Sequence, residues 1–187
     1  MRILCMFSVF LVLLTNVAKA DDRPFASDNT QAEYLKTLEF SGILLNASVD
    51  ELIEHFKAQG FSNIQDMPLG LKGRNVSMRN PDAMGSSVTI MDVPSTGVRN
   101  ATIGLRSASK GKTWKDMPYG SDLQSIVDTL CDSKLAQKIS QTEAIHCAED
   151  SGILYILAHV TDDSGVKYRL NVMATADSML RVSYSHN

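Results

Sequence analysis

After residue 20 the chain lacks any stretch apolar enough to span a bilayer, which takes ~20 residues. That absence excludes a later membrane anchor, and the mature chain is expected to be soluble. It also lacks a cysteine at the end of its apolar leader. The nearest, Cys5, lies too early for lipoprotein processing. Positive charge is not in excess: 18 Lys and Arg stand against 21 Asp and Glu, a formal net charge of −3. Nucleic acid and anionic membranes reward clustered Lys and Arg, so both are excluded as expected partners. Gly111-Lys112-Thr113 matches the tail of a phosphate-binding loop. Such a loop needs a glycine five positions earlier, and Arg106 stands there, so nucleotide binding is excluded.

What is present begins with a leader. Met1 and Arg2 give a short positive start, Ile3 to Val17 runs apolar, and Ala18-Lys19-Ala20 supplies small residues at the two positions a signal peptidase reads. This order reads as a secretory signal peptide over 1–20, which places the protein in the periplasm or the secreted fraction. Removing it takes away Arg2 and Lys19 but no acid, so the net charge falls from −3 to −5. Two cysteines then remain, Cys131 and Cys147. An even pair in an oxidising compartment reads as a disulfide, ahead of a metal site with His146 and Asp150 or a pair of thiols.

Pattern along the chain divides it further. Residues 21–37 read as a polar, flexible leader with a short helical turn over Ala32 to Leu38, and Phe40 to Leu45 reads as a strand. Val49 to Gln59 is a helix: Ser48 and Glu51 form a capping box, Val49, Leu52, Ile53 and Phe56 make one apolar stripe, and Gly60-Phe61 closes the end. Strands follow at Arg74 to Arg79, Ser87 to Val93 and Val98 to Ser107, punctuated by Pro94-Ser95-Thr96-Gly97. After a Lys-rich loop, Leu123, Ile126, Val127 and Leu130 repeat the first helix's stripe 74 residues on. This second helix runs to about Leu135, with Ser121 and Asp122 as competing N-caps. Strands near Ala144 to Ala148, Ile153 to Val160, Val166 to Ala174 and Met179 to Tyr184 complete the pattern. The turns between them fall at Asp162-Asp163-Ser164-Gly165 and Ala176-Asp177-Ser178.

The expected fold is therefore α+β: two lobes, 38–107 and 121–187, each a helix packed on an antiparallel meander, joined by a linker at 108–120. A bond between Cys131 and Cys147 would pin helix to sheet in the second lobe. The segment Gly42 to Ile53, ending in Gly60-Phe61, resembles the opening of small periplasmic BamE-like domains. The tandem plan with its disulfide resembles the β-lactamase-inhibitor-protein type of fold. Both families bind other proteins and carry no active site, so the resemblance implies a binding or assembly role with another protein as partner.

No catalytic, cofactor-binding or metal-ligating set stands out. Ser107 with Lys110, and Ser109 with Lys112, have serine–lysine spacing but sit in a polar loop rather than on one buried helical turn. His55, His146, His159 and His186 are possible bases, none with a serine and an acid at recognisable spacing. Asp162 and Asp163 lack the alternating oxygens of a calcium loop. Asn46, Asn75 and Asn100 open glycosylation sequons, which matter only in a eukaryotic secretory pathway. The central loop gathers basic and aromatic groups, and Trp114, Tyr119 and Lys115 are the candidate partner contacts, against the favoured alternative that Trp114 tucks onto the edge of the core and the lysines are solvated. Two alternatives to a binding protein stay open: a small extracytoplasmic hydrolase whose site assembles in three dimensions, and a small-ligand carrier.

Overall fold

The computed structural model describes residues 26–27, 29–83, 85–106, 113–131, 139–141, 145–175 and 179–187. The signal segment 1–20, the serine–lysine pairs and the Ala176–Ser178 turn lie outside these residues.

The 21–37 segment is not wholly a flexible leader. Strand β1 (Ala26–Ser27) and helix α1 (Asn29–Lys36) lie in it, and Ala32 and Leu35 of α1 are fully buried. The stretch expected as one strand from Phe40 is instead a hairpin, β2 (Glu39–Phe40) and β3 (Ile43–Leu44), whose ends pair Phe40 with Ile43. Its two turn residues, Ser41 and Gly42, have φ of 59° and 78°. That is the geometry of the two-residue turn that matches strand twist, and the glycine adopts it without steric cost.

Helix α2 (Val49–Ala58) keeps the expected capping box of Ser48 and Glu51, and Val49, Leu52, Ile53 and Phe56 are its buried residues. Gly60 has φ of 87° and Phe61 packs back on Phe56, ring centres 5.4 Å apart. A meander follows: β4 (Ser62–Leu69), β5 (Gly73–Asn80), β6 (Ser86–Val93) and β7 (Val98–Arg106). A 3₁₀ turn at Trp114–Asp116 leads to helix α3 (Gly120–Leu130). Then come β8 (Ile139–Gln141), β9 (Ile145–Asp150), β10 (Ile153–Thr161), β11 (Lys167–Ala174) and β12 (Met179–His186).

The expectation of two α+β lobes is overturned. Apart from the β2–β3 hairpin, the strands form one sheet in the order β4-β5-β6-β7-β12-β11-β10-β9-β8, with β1 paired parallel to β10 where β9 stops. The two meanders meet at β7 and β12, which pair antiparallel from Arg106 opposite Met179 to Arg99 opposite His186. Separate lobes would leave both strands as long unpaired edges, with backbone N–H and C=O groups unsatisfied along them. Joining them removes both edges. The result is a β-dominated fold in which three short helices cover one sheet face. A single core runs across it, from Leu52 and Phe56 of α2 and Leu123 and Ile126 of α3 to Val76, Ile90, Ile103, Leu170 and Ile156 of the sheet.

The sheet's two ends differ. At one edge, β4 is exposed at every position from Ser62 to Pro68, and its register shifts between Ser62 and Gln65. At the other, β8 is three residues long.

Candidate functional site

Alternate residues of each strand point away from the helices. Cross-strand pairing places them in rows. The central row runs Gln65, Ser77, Thr89, Thr102, then through Ser183 to Asn171, Leu157 and His146. A second row holds Arg79, Ser87, Gly104, Arg181, Met173 and Tyr155. A third holds Met67, Asn75, Met91, Asn100, Ser185 and Arg169. From β4 to β11 these side chains are exposed or half-buried wherever the structure describes them. Toward β10 the face closes, and Leu157 and His159 are 8% and 7% exposed. A cleft of about 440 Å³ opens at one corner, between Arg79, Asn63, Asn80, Gly85 and Ser87. The arrangement is a broad surface of small hydroxyls and amides set with arginine and methionine.

The helix side holds the polar clusters. Arg74 bridges Asp66 at 2.6 Å and Asp50 at 2.7 Å, tying the β4–β5 hairpin to α2. Arg99 donates to the carbonyls of Asn46 and Ala47, both at 2.7 Å, and so anchors the loop ahead of α2. A third cluster contains Ser41, His55, Gln59 and Asp122, the residue types of a hydrolytic triad. Its connections are wrong for one. His55 Nε2 meets the backbone carbonyl of Ser41 at 2.8 Å, and the Ser41 hydroxyl is bonded to Gln59. The carboxylate of Asp122 accepts the Ser41 backbone amide rather than orienting the histidine. A nucleophile needs its hydroxyl on the base and the base on the acid, so this cluster is a structural latch. The turn geometry of the hairpin accounts for the positive φ of Ser41.

The residues singled out by sequence fall as follows. Trp114 is fully buried, which corrects its expected role as a partner contact: it is a core residue, set on the 3₁₀ turn that packs against α3. The turn closes because Asp116 accepts the Thr113 amide at 2.9 Å. Gly120 contributes too, since a side chain there would collide with the Lys115 carbonyl. Lys115 is exposed, with its ammonium 5.2 Å from the Trp114 ring centre. Tyr119 is half-buried and stacks on Phe40 at 5.5 Å. Neither is on the open sheet face.

Cys131 and Cys147 are bonded, with Cα atoms 5.9 Å apart, joining the end of α3 to β9. Asp122 is not an N-cap. Tyr119 holds that position, and the Asp122 side chain is committed to Ser41. Asp162 closes the β10–β11 turn by accepting from Ser164 and Val166. His146 lies 6.1 Å from the Tyr155 ring, and His159 is paired in register with Arg169. His186 is half-buried, and burial with Arg99 beside it lowers its pKa. The Asn46 amide donates to the Lys36 carbonyl at 2.6 Å, whereas Asn75 and Asn100 stand on the open face. The alternation of Lys167, Arg169, Asn171 and Met173 with Val166, Tyr168, Leu170, Val172 and Ala174 already marks one wet sheet face in the sequence, but the rows across strands exist only once the registers are known.

Among the described residues no group of three or more His, Cys, Asp or Glu could hold a metal ion, and no helix is long and apolar enough to cross a membrane. The chain matches no family model, no characterised protein and no solved structure.

Proposed function

We propose that this is an exported, non-enzymatic binding protein that docks another protein on the open face of its sheet, in the periplasm or secreted fraction. One observation carries the reading. Among the described residues a nine-strand path has its helices on one side, and the other side presents rows of small polar side chains in register, exposed at Thr89 and Asn171 and half-buried at positions such as Ser77, Thr102 and Asn100. Two facts support the compartment: the Cys131–Cys147 bond, which persists in oxidising spaces, and the signal-like leader. The sequence resemblance to BamE-like and β-lactamase-inhibitor-protein-like domains supports binding rather than catalysis.

The test places a bulky side chain in the middle of the face. Thr89 is exposed in the central row, so Thr89→Trp leaves the core untouched. Partners crosslinked in the native compartment should be lost from the variant while its melting temperature stays put. Unchanged capture by a folded Thr89→Trp protein would refute the reading.

A further inference from the structure

The acids of the sheet gather on its helix side, an asymmetry that the net charge conceals, while exposed cations stand on both sides, Lys36 and Lys57 among the helices. Strand acids Asp66 and Asp92 lie on the helix side, where they pair with Arg74 and Arg99. Asp50, Glu51 and Glu54 of α2 add exposed negative charge there. The open face carries the opposite sign. Arg79, Arg169 and Arg181 stand in its rows, with Lys167 and Arg106 at its margins. All of these are exposed. The strand acid on this face among the described residues is Asp150, at the β9–β10 turn.

We infer that the open face is a docking surface for an acidic protein surface, an inference that rests on the function proposed above. A cationic face on an acidic molecule steers a partner of opposite charge into one orientation. Among the described residues four of its five cations are arginines, whose planar fork pairs two-pronged with carboxylates. The arginines are spread out: Arg79 and Arg181 share a row but sit three strand spacings apart, about 14 Å. Between them lie uncharged hydroxyls and amides, with Met67, Met91 and Met173 supplying apolar contact. That mixture fits a protein, whose interface centre is depleted in charge and enriched in Met and Arg. Single-stranded nucleic acid wants several aromatic platforms, and Tyr155 is the aromatic residue in these rows. An anionic membrane rewards a dense run of basic residues, which the spacing does not provide.

The experiment uses the mature protein against four immobilised probes: poly-L-glutamate, heparin, duplex DNA and phosphatidylglycerol vesicles. Three proteins are compared: wild type, Arg79→Glu/Arg181→Glu on the open face, and Lys36→Glu/Lys57→Glu on the helix side. The last makes the same charge change at exposed positions. Wild type should bind poly-L-glutamate best, weakening from low to physiological ionic strength. The open-face variant should bind roughly tenfold or more weakly, while the helix-side variant matches wild type. No binding to poly-L-glutamate, or equal loss in both variants, overturns the inference. So does tighter binding of heparin, DNA or vesicles, which would make the face a polyanion site.

The native partner separates this failure from that of the parent reading. A partner blocked by Thr89→Trp but indifferent to Arg79→Glu/Arg181→Glu leaves the docking face standing and overturns its acidic ligand. Indifference to both removes the docking face.

Discussion

The carboxylate of Asp122 accepts the backbone amide of Ser41 at 2.8 Å, across 81 residues of chain. It fastens the first turn of α3 to the β2–β3 hairpin ahead of α2. The Ser41 carbonyl is taken by His55 and Gln59 of the α2 region. One turn residue thus holds both helices. Ser41 is 9% exposed, so an unpartnered amide there is costly. Asp122→Ala should lower stability by about 1–3 kcal/mol, read from urea unfolding, and Asp122→Asn should lose less because its amide oxygen still accepts. An Asp122→Ala protein as stable as wild type would show the latch to be idle.

The Cys131–Cys147 bond closes a short loop, with a separation of 16 residues. Cross-linking of that span limits the unfolded chain and contributes ~3 kcal/mol. Denatured, unreduced protein should show no thiol from this pair. Cys131→Ser/Cys147→Ser should melt at lower temperature while folding to the same sheet. Two titratable thiols in the unreduced sample would refute the bond.

Tyr184 is fully buried in β12, and its hydroxyl has no hydrogen-bond partner among the described residues. Burial raises its pKa well above the usual phenol value. The ring packs, and the hydroxyl is desolvated without return. Tyr184→Phe should therefore leave stability unchanged or raise it by up to ~1 kcal/mol, since the desolvation cost disappears with the oxygen. A clear loss on thermal melting would mean the hydroxyl is bonded after all.

The Asp162 turn gives a pH dependence. The Ser164 hydroxyl, then the Val166 and Ser164 amides, hold the Asp162 carboxyl below its ordinary pKa. A carboxyl depressed in the folded state stabilises it above the unfolded pKa of ~3.9. That contribution disappears as pH falls through the folded-state value. Asp162→Asn should melt below wild type at neutral pH, and the gap should narrow as the solution is acidified past ~4. A gap that stays constant would place the turn's stability elsewhere.

Local signals in the sequence found what local chemistry builds. Ser48, Glu51 and Gly60 bound α2 correctly because capping is settled within one turn of chain. Strands β5 to β7 and β10 to β12 were visible through alternation or apolar runs. Strand β4 was missed because it is an exposed edge with nothing to alternate against. The α3 start was misread because Asp122 spends its carboxylate on Ser41 instead of on its own helix. Trp114 lies in a polar segment that leaves open a partner contact or a ring tucked onto the core, and a three-residue turn carries it inward. The single sheet rests on β7 meeting β12, a pairing between distant strands that neither strand's pattern announces. The open face inherits that limit, since its rows cross both meanders.

Strand β4 also settles how the molecule can be approached. Pro68 offers no N–H for a further ladder, and the slipped register near Asn63 breaks the line of backbone groups. A neighbouring chain therefore meets an interrupted rail along β4. Replacing Pro68 with valine restores an N–H to that edge and should raise its tendency to pair with a second chain, read as thioflavin binding at high concentration.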